Sequence, residues 1–111
     1  KSFYYGSFNV ESARLLRISI RNENTKISID NNATEILKML LENSQITSNE
    51  IVAKLVENGL SYDYASKVKN KIIESLNEKF EFITNSSLPL INVSKSSQDK
   101  RIQILSLLKK N

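Results

Sequence analysis

The chain contains no cysteine and no histidine, and only two glycines in 111 residues. Without cysteine there is neither a disulfide framework nor a thiolate metal site, and the missing histidine removes the commonest metal ligand and the commonest general base. Gly6 and Gly59 stand far apart, so no glycine-rich phosphate loop exists. The acidic residues fall singly, and Glu35, Glu42, Glu50 and Glu57 read as caps and solvated positions rather than paired carboxylates. The expectation is therefore a protein that is not an enzyme and holds neither metal nor cofactor. No small-molecule ligand is evident. No apolar run approaches the roughly 18 residues that cross a bilayer, and the N-terminus lacks the basic-then-apolar layout of a signal peptide. An intracellular, cytoplasmic protein without membrane contact is expected. Because the sequence begins at Lys1 rather than Met, it reads as a domain cut from something longer.

What is present is one domain's worth of chain with an ordinary apolar content. The net charge of +4 is mild, but it is unevenly spread. Residues 32–60 carry −2, whereas residues 61–80 carry +1 and residues 81–111 carry +3. Single lysines ordinarily just solvate a surface; here the positive sign gathers on two consecutive segments, where an anionic partner would meet it.

Residues 46–80 organise the rest. Ile51, Val52, Leu55 and Val56 recur at helical spacing and stop at Asn58-Gly59, where a left-handed residue is expected after a helix. A second helix starts at Ser61 with Ala65, Val68, Ile72, Leu76 and Phe80 on one stripe. Ser66, Lys67, Asn70, Lys71 and Glu74 then point away from the core. This is a helix-turn-helix that offers its second helix to something outside.

Residues 1–31 alternate. Residues 3–10 read as a first strand, with Glu11-Ser12-Ala13 as its turn. Leu16, Ile18 and Ile20, then Ile27 and Ile29 beyond a polar Asn22-Glu23-Asn24 turn, give a hairpin with one apolar face. A helix over residues 33–42 would cover it, with Ala33, Ile36, Leu37, Leu40 and Leu41 inward, Asn32 as cap and Glu35 reaching back. Thr47 and Glu50 repeat that start signal, after the short connection Asn43-Ser44-Gln45.

After Phe80 the pattern turns extended at Phe82-Ile83, loops at Asn85-Ser86-Ser87, and gives a strand over residues 88–93. A polar tip over residues 94–99 precedes a returning strand over residues 100–105, with Ile102 and Ile104 facing one way. Strand, basic tip and strand after the outward helix make a wing. Residues 107–111 either finish that strand or form a short tail. The fold class is α+β: an N-terminal antiparallel sheet (1–31), three helices (32–80) and a C-terminal hairpin wing (81–111).

This order of elements resembles the winged-helix effector domain of OmpR/PhoB-type response regulators. The similar stretches are Gly6-Ser7-Phe8-Asn9-Val10, then Lys26-Ile27-Ser28-Ile29 leading into Glu35-Ile36-Leu37-Lys38-Met39-Leu40, and Ile46-Thr47-Ser48-Asn49-Glu50-Ile51. The resemblance implies a third helix in the DNA major groove and a wing on the adjacent backbone, in a transcriptional regulator. The chain departs from that family in lacking an Arg-rich recognition helix and a Gly-Tyr pair in the wing, and its Asp99-Lys100-Arg101 run is similar to the wing of MarR-type regulators.

If double-stranded DNA is the partner, the helix after Ser61 has the diameter of the major groove. Asn70 is the base reader, since an amide pairs with both edge groups of adenine. Lys67 and Lys71, without arginine's planar fork, suit phosphate. Tyr64 and Ser66 reach backbone or a thymine methyl, while Tyr62, near the stripe, is expected in the core. In the wing, Lys95, Ser96, Lys100 and Arg101 face phosphate or minor groove, with Asp99 turning the tip or pairing with Arg101. Thr47 and Asn49, at a helix start, cap it and carry phosphate contact as a second reading. A homodimer stays open. The alternative is a winged-helix module that binds another protein, favoured by Glu74 and Glu78 on the outward helix.

Overall fold

A computed structural model of the chain describes residues 2–3, 6–12, 15–20, 23–85, 87 and 89–108. Its order is β1 (Ser2–Phe3), β2 (Gly6–Ser12), β3 (Leu15–Ile20), β4 (Glu23–Ser28), α1 (Asn31–Glu42), β5 (Ile46–Thr47), α2 (Ser48–Glu57), α3 (Tyr62–Thr84), β6 (Ile91–Lys95) and β7 (Gln103–Leu107). The fold is α+β. One antiparallel sheet runs β1-β2-β3-β4, and a second runs β5-β7-β6.

The N-terminal alternation forms strands, with two corrections. The expected first strand divides, and Ser2 and Phe3 pair back onto Ser7 and Gly6. In the next hairpin Ile20 is paired with Glu23, so Glu23 and Asn24 belong to a strand rather than a turn. Leu16 and Ile27 face each other across β3 and β4 and are both buried, as the apolar face requires. The parts of these readings that involve Tyr4, Tyr5, Ala13, Arg21 and Asn22 lie outside the described residues, as do Ser86, Leu88 and residues 109–111.

The helix α1 starts earlier than expected. Asp30, not Asn32, is the cap: its carboxylate accepts from the Ala33 N–H at 2.7 Å, and the Thr34 hydroxyl donates to the Asp30 carbonyl at 3.0 Å. Both are good cap residues, and the earlier one adds hydrogen-bonded length to the helix. Ala33, Ile36, Leu37 and Leu40 are buried and Leu41 is exposed.

One continuous core joins the elements. It takes Leu16 and Ile27 from the first sheet, and Leu37, Leu55, Leu76 and Phe80 from the helices. Ile46, Ile91, Leu105 and Leu107 complete it from the second sheet. The returning strand of the hairpin therefore has the opposite phase to that expected: Leu105 and Leu107, rather than Ile102 and Ile104, face inward. The cause is β5, whose Ile46 lies opposite Leu105 and whose Thr47 lies opposite Ile104. A strand of two residues leaves no periodic trace in a sequence.

Candidate nucleic-acid interface

The corner between α2 and α3 is fixed by backbone hydrogen bonds. Thr47 caps α2, its hydroxyl accepting from the Glu50 N–H at 3.2 Å. At the other end the Gly59 N–H donates to the Val56 carbonyl at 3.0 Å and the Leu60 N–H to the Leu55 carbonyl at 3.1 Å. This is a Schellman closure, and it requires Gly59 at φ +105°. Leu60 packs against the core and turns the chain. Ser61 then caps α3, accepting from the Tyr64 N–H at 3.3 Å.

The first turns of α3 stand out from the domain. Tyr62 is 67% exposed, contrary to its expected place in the core: it is the first residue of α3 and lies about 60° round the helix from the buried Ala65. Tyr64 is 56% exposed. Lys67, Asn70 and Lys71 are exposed together, whereas Ser66 is half-buried. Further along, the outward face changes sign: Glu74, Glu78 and Glu81 are all exposed. Past Asp63 in the first turn, an anion approaching α3 meets Lys67 and Lys71, and further along it meets three carboxylates against the single exposed Lys79.

Lys69 departs from the charge pattern. It is 8% exposed and follows Ala65 by four residues on the buried stripe. Burial desolvates the ammonium and lowers its pKa from the ordinary value. The spacing was visible in the sequence; the charge hid it, since a stripe traced through apolar residues alone passes it by.

The hairpin is tied to the same helix. Asn77 of α3 donates to the Ile91 carbonyl at 3.1 Å and accepts from the Ile91 N–H at 2.8 Å. Both backbone groups at the start of β6 are thereby satisfied by one amide. Lys95 ends β6 and is exposed. The tip is an ordered turn. The half-buried Ser96 uses its hydroxyl to accept from the N–H groups of Gln98 and Asp99, at 3.2 and 3.4 Å. Asp99 pairs with Arg101 in a fork: Oδ1 accepts from Nε and Oδ2 from Nη2, both at 3.1 Å, and Oδ1 also accepts from the Arg101 backbone N–H at 3.0 Å. These bonds hold the Asp99 carboxyl below its ordinary pKa and raise that of Arg101. Lys100, next to the fork, is exposed. Of the two adjacent cations at the tip, Arg101 is thus held by a carboxylate.

On the side of α3 toward the start of α1 lies an open groove of about 440 Å³. Ile29, Ala33, Ile72 and Leu76 give it an apolar floor, and Tyr64, Lys71 and Lys79 stand at its edge. The roles of Asn77 and of this groove could not be read from spacing, since both depend on where non-adjacent elements meet. Among the described residues no cluster of acids suited to a metal ion occurs, and no helix is long and apolar enough to cross a membrane. Compared with protein-family models, curated proteins and solved structures, the chain matches none.

Proposed function

We propose that this chain is a winged-helix domain that binds double-stranded DNA in a sequence-specific manner, as the effector part of a transcriptional regulator of the OmpR/PhoB-like kind. The first half of α3 enters the major groove and the β6-β7 hairpin serves as a wing on the neighbouring backbone. The observation that carries the reading is the joint exposure of Lys67, Asn70 and Lys71 on a helix to which Asn77 ties the basic hairpin. Asn70 reads a base, and Lys67, Lys71, Lys95 and Lys100 neutralise phosphates, with Tyr64, Ser66 and Ser96 as lesser backbone contacts. Arg101 contributes to shape at the tip while Asp99 holds it. The acidic second half of α3 leaves the groove, since Glu74, Glu78 and Glu81 repel phosphate.

Selection from a random pool of DNA duplexes tests this reading. The chain should enrich a defined motif, and Asn70→Ala should relax preference at one position at a cost of about 1–3 kcal/mol. Lys100→Ala should weaken all sequences alike. Failure to enrich any motif would contradict sequence-specific reading.

A second reading is a winged-helix module that binds another protein. The exposed Tyr62 and Tyr64 at the start of α3 favour it, because aromatic side chains are enriched where proteins meet, as do the exposed Glu74 and Glu78 further along the same helix. In that case DNA affinity stays negligible even at low salt.

A further inference from the structure

The most exposed large apolar side chain among the described residues is Phe82, at 88%, on the last turn of α3. It follows Lys71 by eleven residues and Tyr64 by eighteen. At 3.6 residues per turn it therefore lies within about 20° of both, on the side of α3 that borders the groove. Val68, Ile72 and Leu76 line that groove. An apolar knob and an apolar groove thus share one side of one helix, about 21 Å apart from Val68 to Phe82. Charge follows the same line. Lys71 at the groove and Glu78 near the knob are seven residues apart, so they too fall within about 20° of each other, and both are exposed.

We propose that this face of α3 is a docking surface for a second copy of the same chain, packed antiparallel about a twofold axis. With the axis midway between positions 74 and 75, Lys71 of each copy lies level with Glu78 of the other. Phe82 of each reaches the groove mouth beside Val68 of the other. A twofold axis normal to the helix pair keeps residues of one flank together, so both ion pairs and both knobs engage at once, as a closed isologous contact demands. The surface goes beyond the DNA reading and does not depend on it. It shares Tyr64 and Lys71 with that reading, so the paired form and the DNA-bound form exclude each other.

Sedimentation equilibrium in the absence of DNA tests the pairing. A contact confined to one face of a single helix is weak, so the apparent mass should climb from 12.7 kDa toward twice that value between ~10 and ~500 µM. Phe82→Ser, at an exposed position, should weaken association at least about tenfold. Glu78→Lys and Lys71→Glu should each weaken it, and the two together should restore it to within about threefold of the parent. A mass that stays at 12.7 kDa throughout, association that survives Phe82→Ser, growth beyond a dimer, or a double variant no better than its parents would each overturn the proposal. None of these outcomes bears on DNA binding, which is read separately.

Discussion

Asn77 and Ile91 are fourteen residues apart in the chain and meet through two hydrogen bonds, the Asn77 amide acting as a short stand-in for a neighbouring strand. This pairing sets where the hairpin leaves α3. Asn77→Ala should cost about 1–3 kcal/mol in urea unfolding, because it strands a part-buried N–H and carbonyl. Amide exchange of Ile91 should accelerate more than that of Leu105 in the neighbouring strand. Equal protection in parent and variant would show that another group holds the hairpin.

Lys69 gives the fold an alkaline dependence. Its folded pKa lies below the unfolded value of about 10.5, so between the two the unfolded chain holds more protons. Stability from this residue therefore rises as pH climbs through that window. Lys69→Met keeps the buried stem and removes the ammonium. It should stabilise the domain by roughly 1 kcal/mol near neutral pH and flatten the alkaline rise relative to the parent. Urea midpoints at a series of pH values check both, and parallel pH curves for parent and variant would refute the assignment.

Gly59 is needed for its backbone alone. A methyl group there would meet nothing within 4 Å, but φ is +105°. Gly59→Ala should destabilise by about 1–2 kcal/mol without altering the spectrum of the folded state. A neutral substitution would mean that the corner between α2 and α3 closes without the left-handed residue.

Asp99 restrains Arg101. Its lowered pKa means that the clasp is intact above the ordinary carboxylate range and is lost as pH falls through the folded value. If the DNA reading holds, Asp99→Asn at neutral pH should release the guanidinium and add about one phosphate contact, steepening the log–log salt slope by roughly 0.9. An unchanged slope would place Arg101 away from DNA.

The sequence disclosed most where a local rule had no competitor. Thr47 as cap, Gly59 as stop and the buried Ala65, Ile72, Leu76 and Phe80 all stand where spacing put them. Where neighbours were equivalent, local rules could not choose. Asp30, Asn31 and Asn32 are all good caps, and in Ile102-Gln103-Ile104-Leu105-Ser106-Leu107 both phases are apolar, so the pairing of Leu105 with Ile46 decided. The expected extended pair Phe82-Ile83 is instead helix, which runs on to Thr84 and ends at a left-handed Asn85. Nothing between Phe80 and Asn85 breaks a helix, and Phe82 is only out of phase with the stripe. At the candidate site, exposure of Lys67, Asn70 and Lys71 was legible from periodicity. The Asn77 tie, the buried Lys69 and the groove were not, because each depends on which surfaces the fold brings together.

Salt dependence of binding to a selected duplex tests the central claim most directly. With about five phosphates neutralised by Lys67, Lys71, Lys95, Lys100 and the start of α2 at Thr47, the log–log slope should be roughly −4 to −5. Replacing Lys67, Lys71 and Lys100 by alanine should reduce it to about −2. A chain that shows no measurable affinity at 50 mM salt, or a slope untouched by the triple replacement, would contradict the account.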